Sequence, residues 1–135
     1  MLAQAIILGK YSTNLCSYKD NSIKYFANIA DFYSIFIVLI YISKIVKEEV
    51  NTIWGDYFKE SQLEKFPETH KIVHLIMQLA SKCKQEGSVE NAEKLLEQLN
   101  RFAEIFWASK GVRTERVTSP YPPAKKMIIP VLFGD

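Results

Sequence analysis

The feature that most constrains this chain is a Gly87-Ser88 connection between two amphipathic segments. Before it, Ile72, Val73, Leu75, Ile76, Leu79, Ala80 and Cys83 recur at spacings of three and four, which lays one apolar face along a helix. After it, Ala92, Leu95, Leu96, Leu99, Phe102, Ala103, Phe106 and Trp107 do the same. Phe66-Pro-Glu-Thr69 marks the entry to the first helix, with Pro67 tolerated in a first turn and Glu68 favourable near the N-terminus. Ser88 caps the second helix, Glu90 sits in its first turn, and Gly111 is its natural stop. Two helices of this length on so short a turn form an antiparallel αα-hairpin.

The remaining segments complete an expectation of an all-α fold. A long helix is expected from Ser22 to about Glu49, because Ile23, Phe26, Ala27, Ala30, Tyr33, Ile37, Ile40 and Tyr41 keep helical spacing. Its middle, Ile35 to Ile42, is apolar nearly all round, which places it at the centre of a bundle or against a neighbouring subunit. The β-branched residues there leave a buried strand as the rival, and the flanking periodicity favours helix. Phe32 to Val46 gives only about 22 Å of apolar helix at 1.5 Å per residue, short of a bilayer. Asp31 and Lys47 close that run, so a core helix is expected and no membrane span.

Residues 2–9 read as a short apolar helix or strand, 10–20 as a polar loop, and 50–66 as a short amphipathic helix or an aromatic-rich loop. Past Gly111, Val112 to Thr118 alternates weakly and Ser119-Pro-Tyr-Pro-Pro123 breaks the chain. Lys125 to Phe133 is apolar again, and a free tail carrying Ile128, Ile129 and Leu132 would expose a patch, so burial by this chain or another is expected. The expected architecture is one small helical bundle over 1–135, with 112–135 either a short C-terminal β-hairpin or an extended tail.

Composition narrows the function classes. The chain has 135 residues and is 48% hydrophobic, which excludes bulk disorder. Seventeen Lys and Arg against fifteen Asp and Glu give a net charge of +2, so the chain is not a globally basic nucleic-acid binder. Two cysteines, Cys16 and Cys83, and an N-terminus without a signal-peptide pattern point to the cytoplasm and free thiols.

Motifs that would announce catalysis are absent from the sequence. Its five glycines are scattered, with no phosphate-binding loop, Gly-x-Ser-x-Gly elbow or His-Glu-x-x-His. His70 and His74 stand at i and i+4, but a structural metal needs more donors, so neither metal nor cofactor is expected. Nothing near Cys16 supplies a base, Cys83 continues an apolar face, and Glu48/Glu49 and Glu60/Glu64 sit among lysines as solvated helix surface. A binding protein is expected, not an enzyme.

Positive charge suggests what is bound. Arg101, Lys110, Arg113, Arg116, Lys125 and Lys126 would cluster if the tail folds back, and would neutralise backbone phosphates. Lys10, Lys19 and Lys24 have Tyr11, Tyr18 and Tyr25 beside them, an aromatic–basic interleaving suited to single-stranded nucleic acid. The plainer reading is that these lysines keep the protein soluble while the tyrosines pack at a boundary.

With Tyr25-Phe-Ala-Asn-Ile-Ala-Asp-Phe32 opening a long apolar helix and a shorter tail after Gly111, the chain resembles the small subunit of archaeal type I-A CRISPR interference (Cascade) complexes. The resemblance lies in size, element order and composition, and carries no diagnostic motif. It implies a non-catalytic role in an antiviral surveillance complex, with other subunits, copies of itself and nucleic acid as partners. The alternative is a helical structural or regulatory protein that homodimerises and binds no nucleic acid.

Overall fold

Turn chemistry decides where these helices stop, and the computed structural model, which describes residues 37, 39–120 and 124–132, shows the turns in place. Helical residues 39–52 (α1) run without a break into one turn of π-helix, Ile53–Tyr57. A short helix α2, Glu60–Lys65, leads to the hairpin of α3, Thr69–Glu86, and α4, Val89–Ser109. Two antiparallel strands follow, β1 (Thr114–Thr118) and β2 (Lys126–Pro130). The expectation of a mostly helical fold with a C-terminal hairpin holds. Expectations for residues 1–36, including Cys16, Lys10, Lys19 and Lys24, lie outside the described residues.

Each end of the αα-hairpin uses a residue suited to it. Gly87 takes a left-handed φ of 59°, and its N–H donates to Cys83 O at 3.1 Å. Ser88 then caps α4 by accepting from the Asn91 N–H at 3.4 Å. α4 ends in a Schellman motif: Gly111, at φ 71°, donates to Ala108 O, and Val112 donates to Trp107 O, both at 3.0 Å. A left-handed residue is required at both positions, and glycine adopts it without the steric cost of a Cβ.

The core forms where three helices present their apolar faces. Ile72, Val73, Ile76, Ala80 and Cys83 from α3 meet Ala92, Leu95, Leu99, Phe102 and Ile105 from α4. Val46 and Val50 from α1 close one side, and Phe58 enters from the α1–α2 connection. Ile76 and Ala80 are fully buried. Burying a side chain such as Ile76 stabilises by about 1.5–3 kcal/mol.

The π-turn resolves the ambiguity of residues 50–66. One extra residue in the turn shifts the helical register, and Trp54, Tyr57 and Phe58 all pack on the core. Tyr57 and Phe58 meet edge-on, as do Tyr57 and Phe106, at centroid distances of 5.2 and 5.0 Å. Ser109 spends its hydroxyl proton on Phe106 O, so Tyr57 is the donor in its 2.9 Å bond to Ser109 Oγ. On α1, Lys47 Nζ donates to Ser81 Oγ of α3 at 2.6 Å.

The apolar run of α1 divides between core and surface. Leu39, Ser43, Val46 and Val50 are buried, while Ile37 and Tyr41 are 64% and 63% exposed. Among the described residues no helix is long and apolar enough to cross a membrane.

Candidate functional site

The strongest side-chain chemistry lies where the C-terminal hairpin meets α4. In the antiparallel register Arg116 stands opposite Ile128 and Val117 opposite Met127. Bonds from Ser119 N to Lys125 O and from Val131 N to Arg113 O bracket the ladder, so the backbones of Lys126, Ile128 and Pro130 face away from β1. That outer edge is met by Asn100 of α4, a buried polar residue. Asn100 Nδ2 donates to Lys126 O at 3.0 Å, and its Oδ1 accepts from the Ile128 N–H at 3.2 Å. One amide thus takes the place of a neighbouring strand at Lys126 and Ile128, and Pro130, which has no N–H, presents no further donor on that edge.

Charge pairs reinforce the same seam. Arg116 Nη1 and Nη2 fork onto the Glu97 carboxylate at 3.0 and 2.9 Å, and its Nε donates to Glu104 at 3.0 Å. The Arg116 hydrogen bonds hold the Glu97 carboxyl below the usual carboxylate range. Lys125 pairs with Glu93.

These partners decide what the expected basic cluster can do. Lys126 Nζ donates to Thr118 Oγ1 at 2.8 Å, and Arg113 lies 3.7 Å from Glu115. Lys110 sits over the rings of Phe106 and Tyr57, 4.4 and 4.9 Å from their centroids, a cation–π seat at the end of α4. Arg101 stands exposed on α4. The structure therefore brings Arg116 and Lys125 to one seam and gives both carboxylate partners there. Asn100, which organises that seam, carried no signal in the sequence beyond a polar residue at a face position.

The candidate metal donors are held apart. His70 and His74 are both exposed on α3. The His74 ring nitrogen Nε2 contacts Gln78 Nε2 at 3.0 Å, and the His70 ring lies edge-on to Trp54 at 5.5 Å. Nine residues beyond His74, Cys83 stands about 180° round the helix and about 13 Å along it, at 100° and 1.5 Å per residue. Its thiol is buried, and desolvation pushes its pKa up to about 11. A ligating thiol must ionise, which this burial opposes.

Residues 41–110 match the family described as nickel-containing superoxide dismutase. The enzyme named "Superoxide dismutase [Ni]" from Streptomyces coelicolor (strain ATCC BAA-471 / A3(2) / M145) is 31% identical over 68 residues, covering 50% of this chain and 52% of that protein. Its namesake from Streptomyces seoulensis is 28% identical over 68 residues, with the same coverage of both chains. The chain thus spans about half the length of the curated relatives it matches. No solved structure matches.

These matches overturn the likeness to a CRISPR interference subunit, and with it the surveillance-complex role. The alternative of a homodimerising regulatory protein gains no support from them, and the expectation of a non-enzyme gives way to an oxidoreductase family. That likeness rested on size, element order and composition, which many helical hairpins share. The non-enzyme reading rested on missing hydrolase, phosphate and zinc motifs, none of which a redox metal family needs.

Nickel suits imidazole and other nitrogen donors, and any site needs several donors converging on one point. Among the described residues, no group of three or more His, Cys, Asp or Glu side chains is placed to hold a metal. The two imidazoles and the buried thiol point to opposite sides of one helix, and Glu93, Glu97 and Glu104 are engaged by Lys125 and Arg116. The described residues do not fit a nickel centre.

Proposed function

The chain belongs to the nickel-containing superoxide dismutase family, and on that premise we propose that it serves the dismutation of superoxide. Residues 41–110 act as its helical scaffold, and the metal ligands come from outside the described residues. The reaction takes two superoxide anions and two protons to one dioxygen and one hydrogen peroxide. The observation that carries this reading is where the match falls. It runs from α1 to the end of α4 and, among the described residues, takes in the hydrophobic cluster from Val46 to Ile105. The matched stretch therefore coincides with the packed framework of this chain, the part of a protein that sets where any site can be placed.

The test compares superoxide consumption by the purified chain loaded with nickel, loaded with zinc and stripped by chelation. Zinc has no accessible redox change, so it controls for metal-dependent folding. Activity confined to the nickel-loaded chain supports the proposal. Nickel-loaded chain that consumes superoxide no faster than the zinc-loaded chain refutes it.

A further inference from the structure

The disagreement between the family's metal and the donors on this scaffold leads to a separate conclusion. We infer that the helical scaffold of this chain is metal-free: it holds no nickel and completes its fold without one. This concerns the helical part, residues 39–110, and stands apart from whether the chain dismutates superoxide.

Three observations carry it. The first is that the donors diverge. His70 and His74 lie on the exposed side of α3, and Cys83 lies on its buried side. Bringing them to one ion would require α3 to unwind, which would cost the packing of Ile76 and Ala80, both 0% exposed.

The second is that the interior has no set of orphaned ligand atoms. Among the described residues the buried side-chain nitrogens and oxygens without a hydrogen-bond partner are Trp54 Nε1 and Gln98 Oε1. An indole N–H is a donor only and cannot ligate. A single amide oxygen is a hard, neutral ligand and suits calcium or magnesium better than nickel.

The third is that Thr69 and Asn100, both buried and polar, find their partners within the chain. Thr69, at 0% exposure, donates its hydroxyl to Phe66 O at 2.7 Å. Asn100 makes both of its bonds to β2. Domains that need a metal to fold leave its ligands unsatisfied without it, and binding energy then appears as folding energy. Here the apolar core of α1, α3 and α4 closes on itself.

The experiment uses the full chain without a polyhistidine tag, and a His70→Asn/His74→Asn variant, whose changes lie at exposed positions. Each is stripped with a chelator, melted with far-ultraviolet circular dichroism as the readout, then incubated with nickel and dialysed before metal counting. The expected result is a full helical signal and a cooperative melt for the stripped chain. Nickel retention per chain is expected to be the same in parent and variant, whatever its value. Loss of helical signal on stripping overturns the inference, as does a variant that retains half the parent's nickel or less. An inactive chain that passes both tests refutes the dismutase proposal and leaves this inference standing, whereas a nickel-dependent fold does the reverse.

Discussion

Replacing Asn100 with alanine should release the C-terminal hairpin from α4 while leaving the helices folded. The side chain is 6% exposed and makes two bonds to the outer edge of β2, at 3.0 Å to Lys126 O and 3.2 Å from the Ile128 N–H. Each such bond contributes about 1 kcal/mol net, and an edge left partly covered without its partner costs somewhat more. The sum is about 2–3 kcal/mol, carried by the hairpin because the Asn100 side chain faces β2. Native-state hydrogen exchange reads this directly: the Ile128 amide should exchange about 30- to 150-fold faster, while amides in the middle of α3 and α4 keep their protection. Asn100→Asp sharpens the test. It retains an acceptor for Ile128 but turns a second carboxylate oxygen toward Lys126 O, so the hairpin opens at neutral pH and recovers as the carboxyl protonates. Exchange at Ile128 within twofold of the parent in the alanine variant would refute the assignment of Asn100 as the edge partner of β2.

Other outcomes follow from the same contacts. Because hydrogen bonds from Arg116 depress the Glu97 carboxyl, the pair stabilises above the ordinary carboxylate pKa and is lost as pH falls through the folded value. Acid melts should therefore show Arg116→Ala losing less stability than the parent below about pH 4; parallel curves would contradict the pairing. Both partners are substantially exposed, so the neutral-pH cost of Arg116→Ala should be no more than about 1 kcal/mol and should shrink in high salt, as measured by urea midpoints at two salt concentrations. The raised thiol pKa of Cys83 means that stability falls as pH rises from the ordinary thiol range toward about 11, a slope that Cys83→Ala should remove. In a Cys16→Ser background, Cys83 should resist alkylation until the chain unfolds, and rapid native labelling would show that its burial is wrong. Gly87→Ala and Gly111→Ala should each cost about 1 kcal/mol, since both hold positive φ in open space, whereas Gly55→Ala should not destabilise. Thermal melts of the three variants test that ranking.

What the sequence made legible was local. The apolar faces of α3 and α4, their Gly87-Ser88 turn and the stop at Gly111 all follow from spacing and turn chemistry, which act within a few residues. The π-turn at Ile53–Tyr57 was illegible, because spacing alone does not announce an extra residue in a turn whose Trp54 and Tyr57, with Phe58, pack on a core built by distant helices. Asn100 was illegible for the same reason, since its partners lie 26 and 28 residues away. A count of cations likewise does not reveal that Arg116 and Lys125 face Glu97, Glu104 and Glu93. The family signal was hidden differently. The match covers residues 41–110, a stretch in which a reading by short catalytic motifs finds only amphipathic helices.

Whether this scaffold serves superoxide dismutation is read by stopped-flow decay of superoxide against added nickel at fixed chain concentration. The decay rate should rise linearly with nickel, break at a whole-number ratio of metal to chain, and then stay flat. A rate that matches free nickel at every concentration, with no break, would contradict it.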